Sequence, residues 1–244
     1  MPYELYYWDG LPGRGEFIRL ALEDSGADYV DVVRGAEQDG HGLPAMMKLL
    51  GSTTEAQLPL APPILKDGDL ILSQVANILL YLGPKLGLVP HEEKLRYFAN
   101  GLQLTIADFV AEVHDTHHPI AGSLYYEDQK EPAKARAAAF IANRVPKYLG
   151  YFERVLQQNP EGDSWMVGAA PSYVDLSLFQ VIEGLHYAFP RAMKPFAARY
   201  KALATLREAV RARTNIARYL ASERRLSFNE SGIFRHYPEL DQDA

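Results

Sequence analysis

Tyr7 lies near the end of a short aromatic segment, YELYYW at 3–8, and the turn DGLPGRG follows that segment. A tyrosine hydroxyl between a strand and a helix can donate a hydrogen bond to a bound thiolate. Such a bond favours the ionised sulfur and lowers the pKa of a thiol, which is ordinarily about 8.5. Arg14, at the start of the next predicted helix, offers an anion a positive charge. By themselves, these residues favour a plainer interpretation, in which the aromatics only fill a strand.

Two further motifs have the residue types that hold a peptide-like anion. Ala61-Pro62-Pro63 precedes a predicted hairpin strand, and a prolyl bond in such a bend is a candidate for the cis form. A cis turn exposes the preceding backbone to an extended ligand. Ser73-Gln74-Val75-Ala76-Asn77 begins a predicted helix, where amides and Gln74 can hold a carboxylate. Taken alone, each motif is more simply a stiff loop or a helix cap.

The elements that must position these motifs fall in the first third of the chain. Aromatic and apolar runs between turn formers indicate strands, and apolar residues at helical spacing indicate helices. The strand–helix–strand order at the start implies a right-handed parallel crossover. The pattern predicts strand 3–8, helix 13–26 capped by Gly26, strand 29–33, a short helix within 44–50, a hairpin over 64–72 turning at Asp67-Gly68, and helix 74–82 ended by Gly83-Pro84.

The spacing of apolar residues is helical from His91 onward. One predicted stripe contains Leu102, Ile106, Phe109 and Val113. A second long helix is predicted over 134–158 with a kink at Pro146. Ser172 and Asp175 have the spacing of a capping box at the start of a third, strongly apolar helix. Shorter helices are predicted over 195–212 and 214–222.

Composition excludes several classes of protein. The net charge of −6 argues against a nucleic-acid binder, and the absence of cysteine excludes disulfides and a cysteine nucleophile. No apolar run reaches the length of a membrane span, and MPYELYYWDG lacks the features of a secretory signal. We therefore expect a cytoplasmic protein without a nucleic-acid or membrane partner, and any thiol chemistry must use the thiol of a ligand.

Taken together, the three motifs resemble the cytosolic glutathione transferases of the tyrosine type, the alpha-, mu-, pi- and sigma-like classes. The family's cis-proline, hairpin and helix start are similar, without a gap, to the segment PPILKDGDLILSQVANILLYLG. Its first strand, turn and helix are similar to YYWDGLPGRGEFIRL, which has one extra residue in the turn. SYVDLSLFQVIEGL resembles the capping-box helix of its second domain. The resemblance implies an α/β thioredoxin-like domain of order βαβ-α-ββα at 1–83, a linker at 84–90, and an all-α helical bundle with a C-terminal tail at 91–244.

The resemblance also implies a role for individual residues. Tyr7 takes the place of the catalytic tyrosine, and glutathione is the co-substrate with no metal required. The residues implied to bind glutathione are Trp8, Arg14, Lys48, Pro62, Pro63, Gln74 and Val75. The residues implied to line the electrophile pocket, between the tyrosine and the first long helix of the second domain, are Glu112, Asp115, Tyr125 and Tyr126. A homodimer is the assembly that the family implies.

Two positions depart from the family pattern. Pro62 has no N–H, so one of the two backbone hydrogen bonds usual at that position is lost. Val75 has no hydroxyl with which to hold the γ-glutamyl carboxylate, and the missing donor costs about 1–3 kcal/mol. These departures keep a second hypothesis open, a binding or regulatory protein of this fold with little turnover. A third hypothesis is glutathione-dependent reduction or isomerisation.

Three histidines at the end of the first long helix are a candidate metal site. His114, His117 and His118 have spacings that place two of them on one helical face. The sequence offers no clear fourth ligand, and histidines at a helix C-terminus also interact favourably with the helix dipole. We therefore predict no metal and assign these residues to a polar pocket wall.

Overall fold

The computed structural model describes residues 2–243, which form two compact units. The first unit contains Met1–Leu88 together with Arg213–Ser227, and the second contains Val89–Ala212 together with Phe228–Ala244. The first division falls inside the segment predicted as a linker. Residues 213–227 lie within the predicted helical domain but pack in the first unit.

The first unit is built on a four-stranded mixed sheet. Its strands are β1 (Tyr3–Tyr6), β2 (Tyr29–Asp31), β3 (Ile64–Asp67) and β4 (Leu70–Ser73). Their order across the sheet is β2-β1-β3-β4, with β1 and β2 parallel and the other pairs antiparallel. The hairpin loop is Gly68-Asp69 and not the predicted Asp67-Gly68, because Asp67 still pairs with Leu70 and Gly68, at φ +60°, takes the first loop position.

Three helices of the first unit follow the predicted order. They are α1 (Gly15–Ser25), α2 (Gly42–Leu50) and α3 (Val75–Leu86). Gly26 ends α1 in the left-handed conformation, at φ +69°, which confirms the predicted cap. The prediction that Gly83-Pro84 ends α3 is wrong, because the helix continues through Pro84 to Leu86 and is capped by Gly87. The core of this unit contains two apolar clusters. One includes Leu5 and Ile18, and the other includes Ile64 and Met46.

The second unit is helical among the residues described. Its helices are α4 (Glu93–Asp115), α5 (Lys130–Ala139), α6 (Val145–Gln157), α7 (Tyr173–Ala188), α8 (Phe196–Arg199) and α9 (Lys201–Arg211), and α10 (Thr214–Leu220) returns to the first unit. The stripe predicted on α4 is buried, as expected. The backbone stays helical from α5 through α6, as predicted, and a five-residue π-helical turn at Phe140–Arg144 lies just before Pro146, where the sequence predicts a kink. None of the helices in the described part combines the length and the apolar character needed to cross a bilayer.

The capping box at the start of α7 is present and fully buried. The Asp175 carboxylate accepts hydrogen bonds from the Ser172 amide at 2.7 Å, the Ser172 hydroxyl at 2.6 Å and the Met166 amide at 2.8 Å. Burial raises the pKa of Asp175 to about 6, against the opposing effect of these donors. The ionised carboxylate therefore ties the loop at Met166 to the helix start.

We expect Asp175→Asn to lower the free energy of unfolding by about 2–3 kcal/mol, because one buried carboxylate oxygen becomes an NH₂ group that faces donors. Urea unfolding followed by circular dichroism measures the loss. Ser172→Ala is the matched control, since it removes a single capping group and should cost about 1 kcal/mol. Equal stability of Asp175→Asn and the wild type would contradict this account of the helix start.

Candidate functional site

The register of the sheet brings the predicted glutathione-site motifs to one edge. The residues paired across three neighbouring strands are Tyr6, Ile64 and Ser73. Tyr7, Pro63 and Gln74 each adjoin one of these residues in the chain, so they lie at the same end of three adjacent strands. Strand pairing thus joins motifs that are more than fifty residues apart in sequence.

The Tyr7 side chain is only 6% exposed, and its hydroxyl oxygen accepts a hydrogen bond from the Arg14 amide at 2.8 Å. Burial raises the pKa of Tyr7, while the Arg14 amide and the charges of Arg14 and Arg19 oppose the rise. The phenol therefore keeps its proton at neutral pH. Since its oxygen already accepts a bond, the O–H group remains a donor for an anion.

Gly13 and Gly15 are site residues that the sequence reasoning missed. A Cβ atom at Gly15 would lie 2.6 Å from Tyr7 Cγ, and one at Gly13 would overlap the Tyr7 hydroxyl. The two glycines therefore let the start of α1 pack directly on the tyrosine ring. The G-R-G spacing just before the helix was the available signal, because close backbone approach is a common reason for glycine at such a place.

Gln74 has a strained backbone at the start of α3. It is the non-glycine residue with positive φ among those described, with φ 70° and ψ 126°. Such a conformation costs about 1–3 kcal/mol and typically occurs where function requires it. The conformation places exposed Gln74 beside the first-turn amides of α3, which have no partner within the helix and can donate to a carboxylate.

The other predicted glutathione-binding residues surround this edge of the first unit or lie on α2. The Pro62–Pro63 bond is cis, as the sequence predicted. Trp8 is 39% exposed just after β1, and Val75 is the first residue of α3. Lys48 is an exposed residue in the last turn of α2.

A buried ionic cluster on α1 supports the Tyr7 region and was not foreseen. Arg19 and Glu16 are both fully buried, with Arg19 Nη1 at 3.4 Å from Glu16 Oε2 and Arg19 Nε at 2.6 Å from Asp31 Oδ2. Burial lowers the pKa of Arg19, but the charges of Asp31 and Glu16 more than offset it, so the guanidinium stays charged. Its carbon lies 5.9 Å from the centroid of the Tyr7 ring.

The segment that returns to the first unit completes this cluster. Tyr219 of α10 donates a hydrogen bond to Glu16 at 2.7 Å, and Arg225 forms an ion pair with the same carboxylate. Arg213 holds the buried Asp24 carboxylate through two hydrogen bonds at 2.6 and 2.8 Å. Buried acidic groups on α1 therefore explain why residues 213–227 pack with a domain that precedes them by more than a hundred residues.

The residues predicted to line the electrophile pocket all lie in the second unit, in two different settings. Glu112 is held by Arg144, whose Nη2 and Nε atoms lie 2.6 and 2.8 Å from the carboxylate, and Tyr148 donates to it at 2.9 Å. Hydrogen bonding to Arg144 lowers the pKa of Glu112 despite partial burial. Asp115 is half-exposed, with Arg136 Nη2 at 3.8 Å. Glu112 is thus engaged within the helical bundle.

Tyr125 and Tyr126 line a polar cavity of about 530 Å³ within the second unit. Tyr125 is 78% exposed, whereas Tyr126 is buried, donates to Glu239 at 2.9 Å and stacks on Tyr237 at a centroid distance of 3.8 Å. Burial and the Glu239 carboxylate raise the pKa of Tyr126, so its hydroxyl is neutral. The two neighbouring tyrosines therefore give this cavity one exposed and one buried aromatic wall.

Comparisons with known proteins agree with the fold. A family model described as glutathione S-transferase, C-terminal domain, matches residues 114–223. A glutathione S-transferase from Plasmodium falciparum is 27% identical over 197 residues, which cover 79% of this chain and 84% of that protein. Glutathione S-transferase P 1 from Xenopus laevis is 28% identical over 91% of this chain and 93% of its own. Together these matches support membership of the cytosolic glutathione transferase family.

Structural comparison supports the glutathione transferase fold over both units. The Pi-class glutathione S-transferase of Onchocerca volvulus aligns with a TM-score of 0.68 and 21% identity, covering 91% of this chain and 93% of that one. At this identity the likeness shows the fold alone. It is the thioredoxin-like sheet followed by the helical layout that the sequence resemblance implied.

Proposed function

We propose that this glutathione transferase activates the thiol of glutathione for conjugation to a small, mostly apolar electrophile, the chemistry of detoxification. One observation carries the proposal. The buried Tyr7 hydroxyl accepts a hydrogen bond from the Arg14 amide and keeps its own proton as a donor. Tyr7 lies at the same end of the sheet as Pro63 and Gln74.

In the proposed reaction, the glutathione thiol loses its proton to solvent and the Tyr7 O–H donates to the resulting thiolate. The hydrogen bond lowers the thiol pKa from about 8.5 and so supplies nucleophile at neutral pH. The sulfur then attacks an electrophilic carbon, forms the C–S bond and displaces the leaving group with its electron pair. No metal takes part, because Tyr7 stabilises the charge.

We propose that the rest of glutathione binds along the same edge of the first unit. Gln74 and the first-turn amides of α3 take the γ-glutamyl end, where these amides replace part of the missing serine contact. The Pro62 carbonyl accepts from the cysteinyl amide, although Pro62 cannot donate in return. Trp8, Arg14 and Lys48 are assigned to the remaining contacts, Lys48 to the glycyl carboxylate.

Restoring a hydroxyl at the start of α3 should strengthen binding. We expect Val75→Ser to raise the affinity for glutathione by about 5- to 100-fold, equivalent to about 1–3 kcal/mol, because it supplies the donor missing beside the γ-glutamyl carboxylate. Calorimetric titration with glutathione measures the change. Val75→Ala is the control for side-chain size and should bind as the wild type does. An equal gain in both variants would contradict the proposed contact.

The activity is tested by calorimetry with glutathione followed by a conjugation assay with several electrophiles. We expect binding at millimolar glutathione or below and turnover with at least one electrophile. Absence of binding at millimolar glutathione would overturn the proposal. Binding without turnover, across substrates for conjugation, reduction and isomerisation, would instead favour the binding or regulatory protein, the hypothesis that Pro62 and Val75 keep open.

Three further parts of the proposal follow from the family. Asp115, Tyr125 and Tyr126 contribute to the electrophile site, with Glu112 holding α4 in place through Arg144. The protein is a homodimer, which light scattering after size-exclusion chromatography would test. Its location is cytoplasmic.

A further inference from the structure

The three histidines after Val113 converge in the second unit. α4 ends at Asp115, but the chain continues to turn, because the amides of His117 and His118 both approach the His114 carbonyl, at 3.3 and 3.2 Å. The ring centroids are 4.7 to 5.1 Å apart. One nitrogen from each ring lies within 4.8 Å of the others. The tertiary fold thus groups three nitrogen ligands of the kind that late first-row metals prefer.

His117 is held as a neutral ring with one defined tautomer. It is 1% exposed, and burial disfavours the charged form of the ring. Its Nε2 lies 2.8 Å from the Ile233 carbonyl, which can only accept, so Nε2 carries the hydrogen. The lone pair is therefore on Nδ1. A backbone carbonyl that fixes a histidine in this way is a common outer partner of a metal ligand.

His118 presents its own Nδ1 to this lone pair. The two Nδ1 atoms lie within hydrogen-bonding distance, so the His118 N–H donates to His117 when no ion is bound. Two ligands of a tetrahedral zinc ion are about 3.3 Å apart, given Zn–N bonds of about 2.0–2.1 Å. His118 is partly exposed and lines the polar cavity of about 530 Å³, so its ring has space to move outward and admit an ion in place of the proton.

Charged groups beside the cluster act in opposite directions. The charge of Arg235 repels a cation, although Arg235 is turned to the loop by a hydrogen bond from its Nε to the Gly232 carbonyl at 2.8 Å. The Asp115 carboxylate lies 4.0 Å from His114 Nδ1 and offsets part of that repulsion.

We propose that His114, His117 and His118 form a binding site for a divalent transition metal of the zinc type, with three imidazole ligands and a fourth position open to the polar cavity. The site is separate from the residues assigned to glutathione, which all lie in the first unit. It replaces the sequence-based interpretation of the three histidines as a pocket wall.

The test is calorimetric titration of the chelator-treated full chain with Zn²⁺, compared with His114→Gln, His118→Gln and the double variant. We expect one ion per chain in the wild type and an affinity at least about tenfold weaker in each single variant. His91→Gln, which removes an exposed histidine outside the cluster, is the matched control and should bind as the wild type does. Circular dichroism confirms that each variant is folded.

Titration with Co²⁺ gives a second readout. We expect intense visible absorption typical of tetrahedral coordination in the wild type, and its loss in the double variant. Zinc binding that is unchanged in the folded double variant, or no binding to the wild type at millimolar zinc, would overturn the proposal. Glutathione binding, whose assigned residues all lie in the first unit, is expected to be the same with and without the chelator, so failure of this site and failure of the proposed glutathione site are distinguished.

Discussion

Replacing Tyr7 with phenylalanine is expected to lower kcat/KM for conjugation at neutral pH by about 10- to 100-fold. The change removes a hydrogen bond to a charged sulfur, worth about 1.5–3 kcal/mol, and so raises the pKa of bound glutathione. The loss should be largest near pH 7 and should shrink as the pH rises past about 8.5, because the free thiol then ionises without help. Initial rates across this pH range, with saturating electrophile, measure the effect.

Tyr6→Phe is the matched control for this change. Tyr6 is the preceding residue and is equally buried, but its hydroxyl donates to Glu4 at 2.6 Å, away from the Arg14 amide. We expect Tyr6→Phe to retain the wild-type pH profile. If Tyr7→Phe retains it as well, with several electrophiles, then Tyr7 does not stabilise the thiolate and the catalytic assignment is wrong.

Arg19→Met is expected to lower the free energy of unfolding by about 3–5 kcal/mol. Arg19 is fully buried between Glu16 and Asp31, and its removal leaves the Glu16 carboxylate in the interior with less compensating charge. The methionine fills similar volume, so the loss reports charge and not a cavity. Urea or thermal unfolding measures it, and we also expect faster proteolysis within residues 213–227, which pack on Glu16.

Arg34→Met is the control for the stability loss because Arg34 Nη1 lies 3.8 Å from the same Asp31 carboxylate but is a quarter exposed. Arg34 also donates to the Arg224 carbonyl at 2.8 Å, so this variant is a control for the free energy of unfolding and not for proteolysis of residues 213–227. Solvent screens such a pair, so its loss should cost about 1 kcal/mol or less. If both variants lost the same free energy of unfolding, burial would not explain why Arg19 stabilises the fold. A folded Arg19→Met protein of wild-type stability would contradict the account directly.

Local signals in the sequence were sufficient for most of the elements. The Gly26 cap, the buried stripe of α4 and the capping box of Ser172 and Asp175 are confirmed because each depends on residues a few positions apart. The clear error was also local, at the end of α3. Pro84 stays inside one helix and Pro146 follows a π-turn, since packing around a proline decides how the chain accommodates the lost hydrogen bond.

The candidate glutathione site could be assigned from the sequence only through resemblance to a family. By residue chemistry alone, the simplest interpretation made Tyr7 an aromatic residue of a strand. The same reasoning placed Pro63 in a stiff loop and Gln74 at a helix cap. Their position at one sheet edge depends on the register of β1, β3 and β4, which long-range pairing determines. The roles of the individual residues remain predictions that the variants above are designed to test.

The sequence by itself determined the order of strands and helices, the helix caps at Gly26 and Ser172, the exclusion of cysteine chemistry and the family resemblance. Only the tertiary structure decided that Gly13 and Gly15 pack on Tyr7, that residues 213–227 join the first unit, and that three histidines meet beside Ile233. The physical reason is the separation in sequence over which each interaction acts. Capping and periodicity act over a few residues, whereas burial of Glu16 or His117 depends on segments more than a hundred residues away.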